Sequence, residues 1–492
     1  MMNFIDRTVA VFSPVAGLRR AHARKILATY EGAEPSRMRK FRREIGSVND
    51  LVKKAGPSLR AQARYLERNH DLARGALRVL VNNVVGPNGI GIEPQPRRND
   101  GSIDTVYAKA LLEAWRDWCR LPEVTRKFSW SRCQRLLAQA WFRDGEAFVQ
   151  RLAGPVQFLD HGTRVPYSLE LLEADLFPSS YDDPTRGIRQ SVERNAWGAP
   201  RAYWCYKVSP DEYRLAGYQD LKRIPAERML HLFRSDRIHQ LRGVSEFASV
   251  LTRLEDIKDY EESERVAAKI AAMLTMYVKK GQPELYETPD TQTAPRQIDL
   301  SPGLIIDDLV AGEEIGMIDS KRPNPNLITF RGGQLRAAAA GLGTSYSSLS
   351  RDYNGTYSAQ RQELVEQWVN YAVLTDDFVC DCVQPIWEEF VAIAHLSGVV
   401  PTPKGIKPGT ENDAIYVAQA MPWIDPLKEA QACTALVQAG FASEVEMIRR
   451  RGANPSDVLE QIAAWRDECK RRGISFATNP AASAVLGEQL AS

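Results

Sequence analysis

Apolar residues recur at a helical period over 61 to 86, where Ala63, Leu66, Ala73, Leu77, Leu80, Val81 and Val84 share one side and Gly86 ends the run. Two more helices are predicted over 103 to 119 and 127 to 143, the second carrying WSRCQRLLAQAWFRDG. Then the period changes. The stretches EAFVQRL, LELLEADLF, GIRQSVERN, PRAYWCYKV and ERMLHLF are short, rich in aromatic and β-branched residues, and broken by Gly, Pro and Asp. Residues 65 to 235 therefore predict an α+β unit in which helices cover a mostly antiparallel sheet. The intervening GPNGIGIEPQP follows a helix and lacks the spacing of a dinucleotide-binding turn, so it is read as a plain turn.

From 243 to 281 no Gly or Pro interrupts the chain after its start, and Phe247, Val250, Leu251, Leu254, Ile257, Val266, Ile270 and Leu274 trace an apolar stripe. Some 30 helical residues at 1.5 Å each would span roughly 45 Å. The middle of this helix holds six acids, Glu255, Asp256, Asp259, Glu261, Glu262 and Glu264, against Lys258, which predicts a negative exposed face. Residues 282 to 330 predict a small strand-containing module, and 332 to 343 a short Ala-rich helix. A soft loop follows over 342 to 357, with Arg351 and Asp352 as its only charges. Thr356 or Ser358 can cap the next long helix, which should kink at Pro385. Shorter helices, separated at Gly440 and Gly452, fill 421 to 473, and the last twenty residues read as frayed.

Composition narrows the classes. The chain has 492 residues, 44% hydrophobic and 26% charged, with a net charge of +2, so neither a disordered chain nor a bulk polyanion binder is indicated. The length predicts two to four domains. No stretch approaches the ~20 apolar residues that cross a bilayer, and the N-terminus lacks a signal-peptide layout, so a cytosolic chain with no membrane partner is expected. Seven cysteines are scattered without a C-x-x-C pair, which argues against disulfides and structural zinc. Cys380 and Cys382, two apart, should face different sides of a helix. Residues 19 to 64 are basic, with RMRKFRR at 37 to 43, and read either as a solvated arm or as a contact for a polyanion or acidic partner.

Candidate chemistry is thin. Asp160 and His161 adjoin in LDHG, where a polar turn beside a strand is the default and a hydrolase or nuclease the alternative. The doublets at 182, 261, 307 and 313 could hold Mg²⁺ but are common in turns and on helix faces. GLGTSYSS lacks the Lys of a phosphate loop. No catalytic residue, cofactor or metal is expected, and any ATP hydrolysis would be another protein's.

Six landmarks follow one another in a specific order: RAQARYLERNHDLARGALRVLVNNVVGPNGI, AWFRDGEAF, RMLHLFRSDRIHQLRGVSEFASVLTRLEDIKDYEESERVAAKIAA, LSPGLIIDDLVAGEEI, FRGGQLRAAAAGLGTSY and MPWIDPLKEAQA. In them the chain resembles the lambda family of tailed-phage portal proteins over roughly 19 to 475. The resemblance implies a predominantly helical α+β portal fold that assembles as a ring. It divides the chain into a basic N-terminal arm (1–60), an α+β wing (61–240), a first stem helix (241–276), a clip (277–326) and a second stem helix (327–341). A tunnel loop (342–357), a long wing helix (358–400) and a helical crown with C-terminal tail (401–492) follow. One departure lies past the tunnel loop, where the family often shows consecutive serines before an Arg and this chain has Tyr357, Ser358, Ala359, Gln360 and Arg361.

The implied function is a dodecameric ring at one capsid vertex that passes dsDNA during packaging and ejection without reading its sequence. Implied partners are the terminase large subunit, head-completion and connector proteins, and the major capsid and scaffold proteins. The implied location is the virion, after assembly in the host bacterial cytoplasm. The tunnel loop would present Thr344, Ser345, Tyr346, Ser347, Ser348, Ser350, Arg351, Asp352, Tyr353 and Asn354 to DNA, and the six stem acids would line the channel. Each cation on a phosphate raises affinity by counterion release, so a lining with few cations and several acids suits a duplex that must slide. Apolar stripes on 244 to 276 and 358 to 395 should be partly buried between subunits. The competing expectations are the hydrolase or nuclease at Asp160 and His161, and a DNA-binding adaptor that uses the basic arm.

Overall fold

The computed structural model describes residues 11, 13–16, 46–208, 220–272, 276–280, 313–317, 326–421 and 425–474. The chain divides into two units, Met1–Leu51 and Val52–Ser492. Most of the basic arm, most of 282–325 and the last eighteen residues lie outside the described residues.

Helix α1 (Val48–Asn69) runs into the first predicted landmark, and α2 (Asp71–Val84) follows after one extended residue. That residue is His70, whose Nδ1 accepts the Leu72 N–H at 3.3 Å while Nε2 meets the Leu254 carbonyl at 3.0 Å. One buried imidazole thus caps a helix and ties it to a segment 184 residues away. The glycine-rich turn after α2 leads into a strand that sequence reading did not foresee, β1 (Gly91–Pro94). Helix α3 (Thr105–Trp118) starts at Asp104, whose Oδ1 accepts the N–H groups of Val106 and Tyr107. Helix α4 (Trp130–Asp144) stops at Gly145, held at φ +89.

The strands that follow are antiparallel throughout. The strands β2 (Glu146–Ala153), β3 (Tyr167–Leu172) and β8 (Met229–Phe233) form one sheet in the order β3-β2-β8. A second sheet runs β4 (Ile188–Arg189), β5 (Val192–Arg194), β6 (Pro200–Tyr206) and β7 (Leu221–Pro225) in sequence order. Strand β7 was not anticipated, because LKRIP offers two buried apolar residues, Leu221 and Ile224, where a half-buried strand usually offers three. A small apolar cluster built on Phe148, Phe177, Val192, Tyr203 and Ile224 joins the two sheets.

The predicted 243–281 helix is shorter and interrupted at its start. A 3₁₀ turn at Glu246–Ser249 precedes α5 (Leu251–Ala272), and the chain beyond it re-enters as β9 (Met276–Lys280), paired with β10 (Glu313–Met317). Of the predicted apolar stripe, Phe247, Val250, Leu251, Leu254 and Ile257 are buried and Val266 is half exposed, while the Ile270 side chain and Leu274 lie outside what is described. Helix α6 (Leu327–Leu342) packs on α5, with Tyr260 and Phe330 rings 5.0 Å apart.

Helix α7 (Tyr346–Ser350) is short, and then α8 (Tyr357–Phe378), a π-helical turn (Val379–Val383) and α9 (Gln384–Leu396) follow as one long rod. The irregularity expected at Pro385 therefore sits just ahead of it. Proline at the second position of α9 has no N–H to give, and the wider turn absorbs that loss. Cys380 is exposed and Cys382 buried, as their spacing requires, and all seven cysteines are free. Burial pushes the Cys205 thiol up to about 11 and the Cys133 thiol up to about 12, so neither is a nucleophile.

The principal core is shared between distant parts of the chain. Trp115 stacks on Trp118 at 4.7 Å, and both meet Phe390 edge-on or tilted, at 4.9 and 5.7 Å. Trp387 closes the cluster at 5.3 Å from Trp115 and donates its indole N–H to the Asn412 carbonyl at 2.8 Å. Strand β11 (Ala414–Val417) pairs with β1, and Glu93 of β1 takes a two-pronged contact from Arg449 at 2.9 and 3.0 Å. Helices α10 (Pro426–Gln438), α11 (Glu444–Arg450) and α12 (Pro455–Arg472) complete the described chain. The sequence treats 65–235 as an independent unit, but its core is filled from 371–394.

Candidate functional site

The segment that sequence reading takes for one soft loop has three distinct parts. At its start α6 ends on Gly343 at φ +62, where the Gly343 N–H bonds the Ala340 carbonyl and the Thr344 N–H reaches back to the Ala339 carbonyl at 2.9 Å. A Cβ at this glycine would stand 2.7 Å from Asn370 Nδ2, which donates to the Gly343 carbonyl at 2.8 Å. Thr344 and Ser345 are buried, at 5% and 9% exposure. They are not available to touch anything outside the fold.

The second part is α7. The Ser345 hydroxyl caps it by accepting the Ser348 N–H at 3.1 Å, and Leu349 is buried in the main core. Glu363 of α8 accepts from the N–H and hydroxyl of Ser347 at 3.2 and 2.6 Å. The Tyr346 ring lies under the Arg336 guanidinium, 4.6 Å from its centroid. The Ser350 hydroxyl donates to the Tyr346 carbonyl at 2.8 Å. Tyr346, Ser347, Ser348 and Ser350 are thus half-buried and held, against the expectation of a soft loop. The period of SYSSLS is too short to show a helix, and Leu349 alone marks its inner side.

The third part is an exposed tip. Arg351 turns the chain at φ +58, Asp352 accepts the Asn354 N–H at 3.1 Å, and Thr356 caps α8 through the Ala359 N–H at 3.4 Å. Arg351 and every residue from Tyr353 to Ala359 are exposed, with Tyr353 at 57% and Tyr357 at 49%. Of the ten loop residues singled out from the sequence, Arg351, Tyr353 and Asn354 are exposed. Thr356, Tyr357 and Ser358 belong beside them on grounds of exposure, and nothing in the sequence marks that boundary.

The six acids of α5 divide in the same way. Asp256, Asp259 and Glu262, three apart, are exposed within about 120° of one face, and Glu255 is half-buried between them. Glu261 turns the other way and pairs with Arg331 of α6, and Glu264 is 6% exposed. The negative face is therefore narrower than the sequence count suggests. Helices α5 and α6 run in opposite directions, since a Cβ on Gly341 would meet Val250 at 2.6 Å, so the start of the loop lies at the N-terminal end of the acidic helix. On α8, Val365, Val369 and Val373 stand exposed at 42%, 65% and 52%, one turn apart each time.

Asp160 and His161 do not converge on a catalytic geometry. The Asp160 carboxylate is 87% exposed and pairs with Arg126 at 2.7 Å. His161 is held by both ring nitrogens, Nδ1 to the Ser168 hydroxyl at 2.8 Å and Nε2 to the Gly154 carbonyl at 2.7 Å, with Ser168 buried in β3. That pattern fastens a turn to a strand. Among the described residues no group of three or more His, Cys, Asp or Glu could hold a metal ion, and no helix is long and apolar enough to cross a membrane.

Sequence reasoning missed a fully buried ionic site. Glu146, 1% exposed, accepts from Arg242 Nε and Nη2 at 2.7 and 2.6 Å, from His231 Nε2 at 3.1 Å and from the Gly243 N–H at 3.2 Å. Arg242 Nη1 donates to the carbonyls of Phe177 and Gln190 at 3.1 and 3.0 Å, and its guanidinium lies 5.4 Å from the Phe148 ring. Burial pushes the Glu146 carboxyl up, but Arg242 and His231 outweigh it and hold the group well below the usual carboxylate range. Burial lowers the His231 pKa, against the opposing pull of the Glu146 carboxylate. Beside this site Gly145 and Gly243 touch backbone to backbone: a Cβ on Gly243 would fall 1.9 Å from the Gly145 carbonyl oxygen. The glycines of RDGEAF and LRGVSEF were the available signal, though their 96–98 residue separation hid the pairing.

The sequence matches the family described as "Phage portal protein, lambda family" over residues 34–374. It is 25% identical over 452 residues to a probable portal protein of Halomonas phage phiHAP-1, covering 88% of this chain and 84% of that one. Against the portal protein of Escherichia phage N15 the identity is 26%, over 63% of each chain, and against portal protein B of Escherichia phage lambda it is 23%, over 84% and 83%. Among solved structures, the neck of a native gene transfer agent particle, computed with C12 symmetry, aligns with a TM-score of 0.43 and 13% identity, covering 82% of this chain and 94% of that one.

Proposed function

Because the chain belongs to the lambda family of phage portal proteins, we propose that its copies close into a ring, a dodecamer at one capsid vertex, around a channel that conducts duplex DNA during packaging and ejection. The observation that carries this reading is the pairing of an exposed tip that is nearly free of charge with an exposed acidic face on α5. The tip, 351 to 359, offers hydroxyls, an amide and two tyrosines, with Arg351 balanced by Asp352. Such a surface brushes phosphates and sugars without the salt-dependent well that a row of cations would create. Asp256, Asp259 and Glu262 would repel the duplex and keep it off the wall. The fixed part of the segment, α7, would set the height of each tip, so that the freedom needed to follow a moving helix is confined to the residues beyond Ser350.

A ring needs two different complementary faces on each copy. The Val365, Val369 and Val373 stripe is one exposed apolar face that a neighbouring copy would cover. In this reading the ring resides in the virion, and the terminase large subunit, head-completion and connector proteins, and the major capsid and scaffold proteins dock on it.

Size-exclusion mass combined with negative-stain images decides the matter. A closed ring with an open centre, seen in top view, supports the proposal, and a small particle of one or two chains overturns it. Placing lysine at Tyr353 and Asn354 tests the tip separately: rings should still form, while packaged DNA per head falls.

A further inference from the structure

Several arginines in this fold are matched to carboxylates. Arg60, Arg64, Arg143, Arg223, Arg242 and Arg449 each hold one or more. Four others lie together. Arg74 and Arg78, one turn apart on α2, and Arg132 and Arg135, nearly one turn apart on α4, line a single groove of about 480 Å³. Its floor is Leu77, Val81 and Leu136, and Asn82 and Gln139 add amide groups. Among the described residues none of the four guanidiniums makes an ion pair.

The one carboxylate on the groove, Glu67, is already engaged, with Arg143 at 2.9 Å and Gln139 at 2.5 Å. Arg132 rests its guanidinium 4.6 Å over the Phe128 ring, and Arg135 donates to the Pro87 carbonyl, which leaves further N–H groups of both free. Four like charges gathered on two packed helices repel one another unless an anion sits among them. The fork of a guanidinium matches the paired oxygens of a phosphate better than a lysine would.

We infer that this groove is a phosphate-backbone site for duplex DNA, distinct from the sliding surface at the tip. The two surfaces differ in the direction that matters: the tip and the acidic face carry few cations, as a moving contact requires, whereas the groove concentrates them, as a holding contact requires. The groove has an apolar floor and amide groups beside its four cations, and so takes backbone phosphates without base reading.

The test uses the full chain and a fluorescent 20-base-pair duplex of arbitrary sequence, titrated over a salt series. The triple variant Arg74→Ala, Arg78→Ala, Arg132→Ala should lower duplex affinity about tenfold or more at low salt, and should reduce the slope of log affinity against log salt by about 2 to 3, close to 0.9 for each phosphate contact removed. The basic arm contributes equally to both proteins and cancels. An unchanged unfolding midpoint shows that the variant is folded. In a second arm, a photo-crosslinking residue at exposed Asn82 should label the duplex in the parent chain and lose that label in the triple variant. Equal salt slopes in the two proteins overturn the inference. So does displacement of the duplex from the Asn82 probe by a polyglutamate peptide at lower concentration than by unlabelled duplex, since the groove would then belong to an acidic protein partner.

Discussion

Glu146 and the tip at 351 to 359 use polar residues to opposite ends. Around Glu146 a carboxylate, a guanidinium and an imidazole are enclosed, and each of the three is tied to named partners within 3.2 Å. At the tip, Arg351 and the run from Tyr353 to Ala359 all face solvent. A buried polar group must be matched or it costs free energy, so the first arrangement tolerates almost no substitution. An exposed one is already matched by water. The lesson is that the polar residues which fix this fold are enclosed and those which can serve a passing ligand are exposed.

The comparison breaks most readily at Arg242. Its replacement by alanine would leave Glu146 buried without its chief partner, at a cost of about 3–5 kcal/mol. Urea unfolding followed by tryptophan fluorescence should register that loss, and a change below about 1 kcal/mol would mean that the enclosed charges contribute little to the fold. Acid should act on the same pair. A carboxyl held below its usual value adds stability that is present in full above its unfolded pKa, about 4.3, and is lost as pH falls toward the folded value. The parent chain should therefore lose stability steeply below about pH 4.5, and the Glu146→Gln chain, already weaker at neutral pH, should lose less over the same interval.

A second, smaller effect sharpens the boundary. Leu349→Ala should cost about 2–4 kcal/mol, because Leu349 is 4% exposed and anchors α7 in the main core. If the segment were soft throughout, the cost would stay under about 1 kcal/mol. Removing the cap with Ser345→Ala should cost about 1 kcal/mol in the same assay. Last, Tyr353→Ala and Asn354→Ala should each move stability by no more than about 0.5 kcal/mol, while changing DNA delivery into heads measured as nuclease-protected genome. A large stability loss from either would place the tip with the core.

How much of this was legible depends on the range of the interaction. Helices α1 to α4 show in the sequence because Leu66, Leu77 and Leu80, and then Trp115, Trp118 and Leu137, repeat at a period set by the backbone itself. The family resemblance was legible from six landmarks, and the match over 34–374 agrees with it. The acids of α5 were countable, but which of them turn inward was not: Glu261 faces Arg331, seventy residues later, and no local pattern encodes that partner. The Glu146 site was invisible for the same reason. Helix α7 was missed because five residues hold barely more than one turn, too little for a period to emerge.

The clasp between β1 and β11 carries a consequence for synthesis. Gly91 pairs with Val417 and Pro94 with Ala414, and Trp387 sits against Trp115. At translation speeds of about 5–20 residues per second, the earlier strand waits roughly 16–65 s for its mate to leave the ribosome. Throughout that interval the nascent chain presents an unpaired strand edge and an open aromatic hollow. Both are closed only when residues 387 to 417 arrive.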